Sequence, residues 1–235
     1  MSDGECLTKD IRIFMDGAFD LMHYGHMNAF RLGRSLGTFL IVGVNSDSSI
    51  TECKGPPLMN NKERLTMVKS CKFVDEVITD CPYIMGTEYV NWVIETHRID
   101  YVVHGDDPCI VNGKDVYAAA KAAGKFRYIP RTHGVSTTDI IGRMLVLAEN
   151  PHFKSLDVDY NDSTAEDTTL SLPSSTLLCH RSVFLTTSRI IRLFHDHINS
   201  DCDKCTEKRH TVYIDGSWDL FNPGHIATLE TAKKV

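Results

Sequence analysis

The sequence predicts a doubly wound parallel α/β domain over roughly residues 10–150, then a connector, then the start of a second domain of the same kind. Three observations predict it. From residue 11, short apolar runs alternate with stretches of helical apolar spacing, the pattern of a parallel sheet covered by helices on both faces. The segment DGAFDLMHYGH, residues 16–26, returns as DGSWDLFNPGH, residues 215–225, agreeing at six of eleven positions in one register. Between the copies the composition shifts: DVDYNDSTAED, 157–167, holds five acidic residues and no Lys or Arg.

The elements follow in order. IRIFMD (11–16) reads as a buried strand, and HMNAFRLGRSLG (26–37) as a helix stopped by Gly37. FLIVGVN (39–45) is a second strand, with the apolar run that a doubly covered sheet requires. NNKERLTMVKSC (60–71) is helical and FVDEVI (73–78) a third strand. EYVNWVIETHR (88–98) is a helix before strand YVVHG (101–105), and DVYAAAKAAG (115–124) a helix before strand FRYIP (126–130). TDIIGRMLVLA (138–148) closes the domain as its last helix. Residues 151–210 read as a connector, too polar over 151–176 to offset the entropy of ordering, with a helical segment at FLTTSRIIRLF (184–194). VYID (212–215) reads as a strand opening an incomplete second domain, 211–235, since one strand and one helix cannot bury their own faces.

Composition narrows the function. A net charge of −6 over 235 residues argues against general binding of nucleic acid backbones or acidic membranes. The longest apolar stretches, such as 39–44, are too short for a bilayer span, and MSDGECLTKD lacks the basic and apolar regions of a secretory signal. The eight cysteines read as reduced thiols. Cys202-x-x-Cys205, with His195 and His197 upstream, has ligand-like spacing but no second ordered pair, so it is read as part of the connector and no metal site is assigned.

The first repeat places His23 and His26 between a strand end and a helix start, at the carboxyl edge of the sheet, where open α/β sheets bind ligands. A helix N-terminus there offers N–H groups and partial positive charge to phosphate, and Gly17 and Gly25 let a ligand approach the backbone. An isolated H-x-G-H would read slightly better as polar residues at a helix start, because four-residue motifs recur by chance. The longer context carries a resemblance. DGAFDLMHYGH is similar to the H-x-G-H signature of the nucleotidyltransferase superfamily, and RTHGVSTTDIIGRM (131–144) resembles the segment that marks its cytidylyltransferase branch. KGPPLMNNKERLTMV (54–68), FVDEVI, VVHGDD (102–107) and the tandem duplication resemble the ethanolamine-phosphate cytidylyltransferase family more than its choline or glycerol relatives.

That resemblance implies a Rossmann-like nucleotidyltransferase domain that transfers CMP from CTP to phosphoethanolamine, with Mg²⁺ accompanying CTP. It implies that His23, His26, Lys54 and Arg131 are catalytic and hold the triphosphate. It puts Ala18, Phe19, His104, Gly105, Asp106, Asp107, Val135, Ser136, Thr137 and Thr138 at the nucleotide. Each has a plainer reading: Lys54 as a solvated loop lysine, Phe19 as core, His104–Asp107 as an acidic turn, Ser136–Thr138 as a helix cap. Tyr83 and Trp92 are candidates to pack around the acceptor's ammonium, and by residue type are equally core. No Ser-His-Asp or Cys-His set is evident, as suits an acceptor that is itself an anionic nucleophile. A homodimer through the surface around the histidine motif, and a cytoplasmic location loosely associated with the endoplasmic reticulum, are further expectations of the resemblance. The second copy has Asn222 in place of the first histidine and no counterpart of Lys54 or Arg131, so catalysis is assigned to the first. Phosphocholine as acceptor, and a catalytically impaired chain acting as a nucleotide-binding or regulatory partner, are the alternatives.

Overall fold

The computed structural model describes residues 10–149 and 211–234. They fall into two units: residues 10–132 with 211–234, and a second whose described part is residues 133–149. The expected linker, the helical segment at 184–194 and Cys202/Cys205 lie outside the described residues.

Unit one is built on strand β1 (Arg12–Gly17), helix α1 (Tyr24–Ser35), β2 (Phe39–Asn45), α2 (Asp47–Lys54), α3 (Asn61–Lys69), β3 (Glu76–Cys81), α4 (Thr87–His97) and β4 (Tyr101–Gly105). A hairpin, β5 (Ile110–Val111) and β6 (Lys114–Asp115), then leads to α5 (Ala118–Ala122) and β7 (Phe126–Ile129). The five long strands form one parallel sheet in the order β3-β2-β1-β4-β7. The chain runs outward from β1 to β3, then restarts at β4 on β1's other side. That reversal opens a crevice beyond the carboxyl ends of β1 and β4.

Alternation along the strands sends side chains to two cores. Ile13, Met15, Leu40, Val42 and Val103 join Phe30 of α1 and Met67 and Val68 of α3 on one face. Phe14, Ile41 and Val102 join Val90 and Val93 of α4 and Ala120 of α5 on the other. Burial on both faces is why these strands read as unbroken apolar runs. Gly33 lets α1 approach the sheet closely: a Cβ there would fall on the Met15 sulfur.

The expected strand at 212–215 is absent. Val212 is 48% and Tyr213 85% exposed, and among the described residues no strand pairs with them to complete a ladder. The repeat's helix does form, as α7 (Pro223–Ala232), and packs against α3 with Ile226 and Phe221 joining the first core. In unit two, α6 (Thr137–Glu149) starts at Ser136, whose Oγ accepts the Asp139 N–H at 3.0 Å.

Candidate active site

The histidine motif starts its helix two residues earlier than the sequence suggests, which changes what the histidines do. His23 is the N-cap of α1: its Nδ1 accepts the Gly25 N–H at 3.1 Å, while His26 Nδ1 accepts the His23 N–H at 3.2 Å. Two imidazoles thus form a reciprocal capping box, satisfying N–H groups that a helix start leaves open. With both Nδ1 atoms accepting, each neutral ring carries its hydrogen on Nε2, so the pair is set to donate. The rings stack with centroids 4.0 Å apart.

Three tethers bring the other cationic groups to this pair. Asp20 accepts the N–H groups of Leu58 and Met59 at 2.7 and 2.8 Å, holding the loop after Lys54 against the motif. Lys54 itself ends α2, and Gly55 follows at φ +100°, a left-handed geometry suited to glycine. On the other flank, buried Asn28 of α1 donates to Thr132 Oγ1 at 2.9 Å, fastening the residue after Arg131 to α1. His26 has its pKa pushed down to about 3, first by burial, then by repulsion from the His23 ring whenever that is protonated, and by the charges of Lys54 and Arg131.

Arg131 also ties down the loop after β4. Its guanidinium pairs with Asp107, and its backbone N–H donates to Asp106 Oδ1 at 3.0 Å. The His104 ring lies 4.5 Å from that of Tyr117, and burial lowers its pKa. His104, Asp106, Asp107, Asp115, Tyr117 and Tyr128 are among the residues lining a cavity of about 280 Å³ beside β4 and β7.

Of the remaining expected residues, Phe19 is a core side chain. It sits at φ 52°, is 7% exposed, and braces His26 edge-on at 5.7 Å. Ala18 contributes its carbonyl to Arg64, at 2.6 Å. Val135 is buried; Ser136, Thr137 and Thr138 form the start of α6 in unit two, with Ser136 as its cap. Burial raises the Tyr83 hydroxyl pKa, and the charges of Cys109, Cys53 and Asp16 add to the rise. Trp92 is not brought to the site. Val90 and Val93 take the buried face of α4, leaving Trp92 46% exposed and packed edge-on to His97, whose ring pairs with Glu76. Arg12, the first residue of β1, bonds both partners, so this cluster marks the amino margin of the sheet.

Sequence reasoning missed three residues of the margin. Asp16, the penultimate residue of β1, is 7% exposed and accepts Tyr117 O–H at 3.0 Å; desolvation raises its pKa to about 6. Asp20 anchors the loop as described. Arg64 is fully buried on α3, in line with Met67 and Val68. A charged residue on an apolar stripe was the available signal.

The parallel sheet with its switch point, and a helix start capped by two histidines at that margin, fit an α/β domain of the nucleotidyltransferase type. The comparisons agree. A cytidylyltransferase-like family profile matches residues 14–143. The ethanolamine-phosphate cytidylyltransferase of Arabidopsis thaliana is 42% identical over 236 residues, covering 97% of this chain and 54% of that protein. That of Dictyostelium discoideum is 40% identical over 228 residues, covering 97% and 61%. Choline-phosphate cytidylyltransferase A of Homo sapiens is 41% identical over 147 residues, covering 61% of this chain and 39% of that protein. The chain belongs to the cytidylyltransferase-like family. It spans little more than half the length of the ethanolamine-phosphate relatives.

Proposed function

We propose that this chain transfers the cytidylyl group of CTP to phosphoethanolamine, forming CDP-ethanolamine and releasing pyrophosphate. The observation that carries the reading is the tethering of the loop after Lys54 and of the residue after Arg131 to the helix start that bears His23 and His26, at one sheet margin. A phosphate oxygen of the acceptor attacks the α-phosphorus, and the bond from that phosphorus to the bridging oxygen of pyrophosphate breaks. The acceptor is already an anion, so no base and no covalent intermediate are required. The catalyst's task is to align two anions and receive the charge that develops on the leaving group. The Nε2–H groups, Lys54 and Arg131 suit that task, the arginine by forked hydrogen bonds and the lysine as a point charge. His26 is neutral in the free site; the negative charge of a bound triphosphate would raise its pKa and favour the imidazolium as pyrophosphate departs.

Mg²⁺ is expected with CTP to neutralise the triphosphate. Imidazoles, lysine and arginine suit phosphate better than a hard cation, so the ion would be held by phosphate oxygens and water. Among the described residues no group of three or more His, Cys, Asp or Glu forms a metal site.

The cavity beside β4 supports an ammonium acceptor. Its walls include the carboxylates of Asp106, Asp107 and Asp115 and the rings of Tyr117, Phe126 and Tyr128. That lining already draws one cation: Lys121 pairs with Asp115 and lies over the Phe126 and Tyr128 rings, so a substrate ammonium would share these groups with it. Behind Tyr117 sits Asp16, a buried carboxylate that lacks a cationic partner strong enough to keep its pKa normal. An ammonium nearby would supply one. Ethanolamine rather than choline is favoured because similarity to the ethanolamine-phosphate relatives runs through both repeats, whereas the choline-phosphate match spans 61% of the chain.

The test is incubation of the purified chain with radiolabelled CTP, Mg²⁺ and a panel of phospho-amines. Labelled CDP-ethanolamine, formed with phosphoethanolamine alone, is the expected product. Product with phosphocholine instead would reassign the acceptor. CTP binding without product would favour the reading as a nucleotide-binding partner.

A further inference from the structure

We infer that Arg64, which lies beneath the phosphate-handling margin, is a positioning residue for cytidylyl transfer: it fixes the loops that carry the histidine motif and Lys54. The inference rests on the function proposed above. Arg64 is 0% exposed, yet each nitrogen of its guanidinium is used. Nε donates to Met59 O at 3.2 Å, Nη1 to Ala18 O at 2.6 Å, and Nη2 to Asn45 O at 2.8 Å and Asp47 Oδ1 at 2.5 Å. Those four acceptors belong to different parts of the margin. Ala18 is in the loop leading to His23; Asn45 ends β2; Asp47 opens α2, whose last residue is Lys54; Met59 ends the loop that follows Lys54.

Several features separate this from an ordinary structural ion pair. A buried cation is costly, and one salt bridge seldom offsets the loss of hydration. Its one anionic partner, Asp47, has a side chain 45% exposed, so pairing alone is a weak reason to keep an arginine here. Its three other acceptors are loop and strand-end carbonyls, and only a planar fork with several fixed donors satisfies them at once. Asp20 works on the same loop through its N–H groups, those of Leu58 and Met59, where Arg64 takes the Met59 carbonyl. The two residues therefore clamp the 55–59 loop together and set where the Lys54 charge falls relative to His26. Neither clamp reaches the acceptor cavity beside β4.

The prediction is a split between substrates. In Arg64→Lys the charge remains but the fork is lost, so the loops relax. At a temperature where circular dichroism shows the variant folded, kcat/KM for CTP should fall on the order of a hundredfold, as for a small misplacement of catalytic groups. KM for phosphoethanolamine should stay near the wild-type value. A purely structural arginine would instead lower the melting temperature and the active fraction, leaving both KM values unchanged, and that outcome overturns the inference. Asp20→Asn, which buries no charge, should show the same CTP-side defect and serves as the second variant should Arg64→Lys not fold; an unchanged CTP response in Asp20→Asn overturns the inference as well. Equilibrium binding of CTP, by calorimetry, separates the two layers of argument. Wild-type chain that neither binds nor turns over CTP defeats the function reading and this inference with it. Wild-type binding that Arg64→Lys retains at full strength, with kcat intact, defeats this inference alone.

Discussion

At the start of α7 the Oδ1 of Asn222 accepts the Gly224 N–H at 2.9 Å, the bond that His23 Nδ1 accepts from Gly25 at the start of α1. His225 repeats His26 too, accepting the Asn222 N–H on Nδ1 at 3.1 Å. Even the backbone repeats: Leu21 and Leu220 sit at φ 44° and 47° after aspartates that bond their N–H groups. The second copy therefore keeps the motif's fold and loses one donor, because asparagine replaces the accepting side of the histidine but has no Nε2–H beyond it. Its amide nitrogen donates to Leu220 O at 3.2 Å. Asparagine is a preferred N-cap, so the substitution does not weaken the helix start. His23→Asn should accordingly leave the thermal midpoint of the chain unchanged while CTP turnover falls by roughly 10²–10³, the cost of one lost transition-state donor. A large drop in midpoint would mean that the histidine's role at this position is structural.

Among the elements, α7 is the one whose presence depends on packing more than on its own sequence. Most of its residues are exposed, and Ile226, 5% exposed, is its buried anchor against α3, the helix that also carries Arg64. Truncating that anchor by Ile226→Ala should destabilise unit one by about 2 kcal/mol, the low end for a buried isoleucine, measured by denaturant unfolding. An exposed control, Leu229→Ala (Leu229 is 42% exposed), should cost much less. The same physics decides which elements were legible in the sequence. β1, β2 and β4 were legible because burial on both faces writes itself as an apolar run. Helix α2 was not, since DSSITECK offers Ile50 as its one buried side chain and so has no stripe to detect. The β5–β6 hairpin left a signal in Asn112-Gly113, both at positive φ, but two-residue strands carry no periodicity. VYID has strand composition, and composition says nothing about a missing neighbour. For the site, the long motifs drew attention to the histidines, whereas Asp16 and Asp20, inside the first motif, and Arg64 outside it act through contacts distant in sequence that no motif displays. Trp92 misled because an aromatic's face on a helix is settled by which neighbours are more apolar.

For the molecule as a whole, the same sheet margin desolvates an acid, Asp16, and a base, His26, and this sets how stability responds to pH. Asp16 has a folded pKa of about 6 against an ordinary 3.8, so its contribution is fully present below 3.8 and lost as pH rises through 6. By pH 7 the ionised, desolvated carboxylate costs about 3 kcal/mol. His26 works in the opposite sense. Its folded pKa is about 3 against 6.5, so stability is present above 6.5 and lost as pH falls toward 3, where the unfolded chain takes up a proton that the folded site refuses. Between pH 4 and 6 the two slopes oppose each other. Asp16→Asn keeps an acceptor for Tyr117 but removes one slope, so the difference in unfolding free energy between variant and wild type isolates Asp16. That difference should grow in favour of the variant from pH 4 to pH 7, measured by urea unfolding at each pH. Added phosphoethanolamine should narrow the gap by stabilising wild type, because its ammonium restores a partner to the carboxylate, and should do little for the variant. A gap that is flat with pH would show that Asp16 is not held ionised at a cost. A gap that grows with pH yet ignores phosphoethanolamine would keep the buried charge but move the ammonium elsewhere.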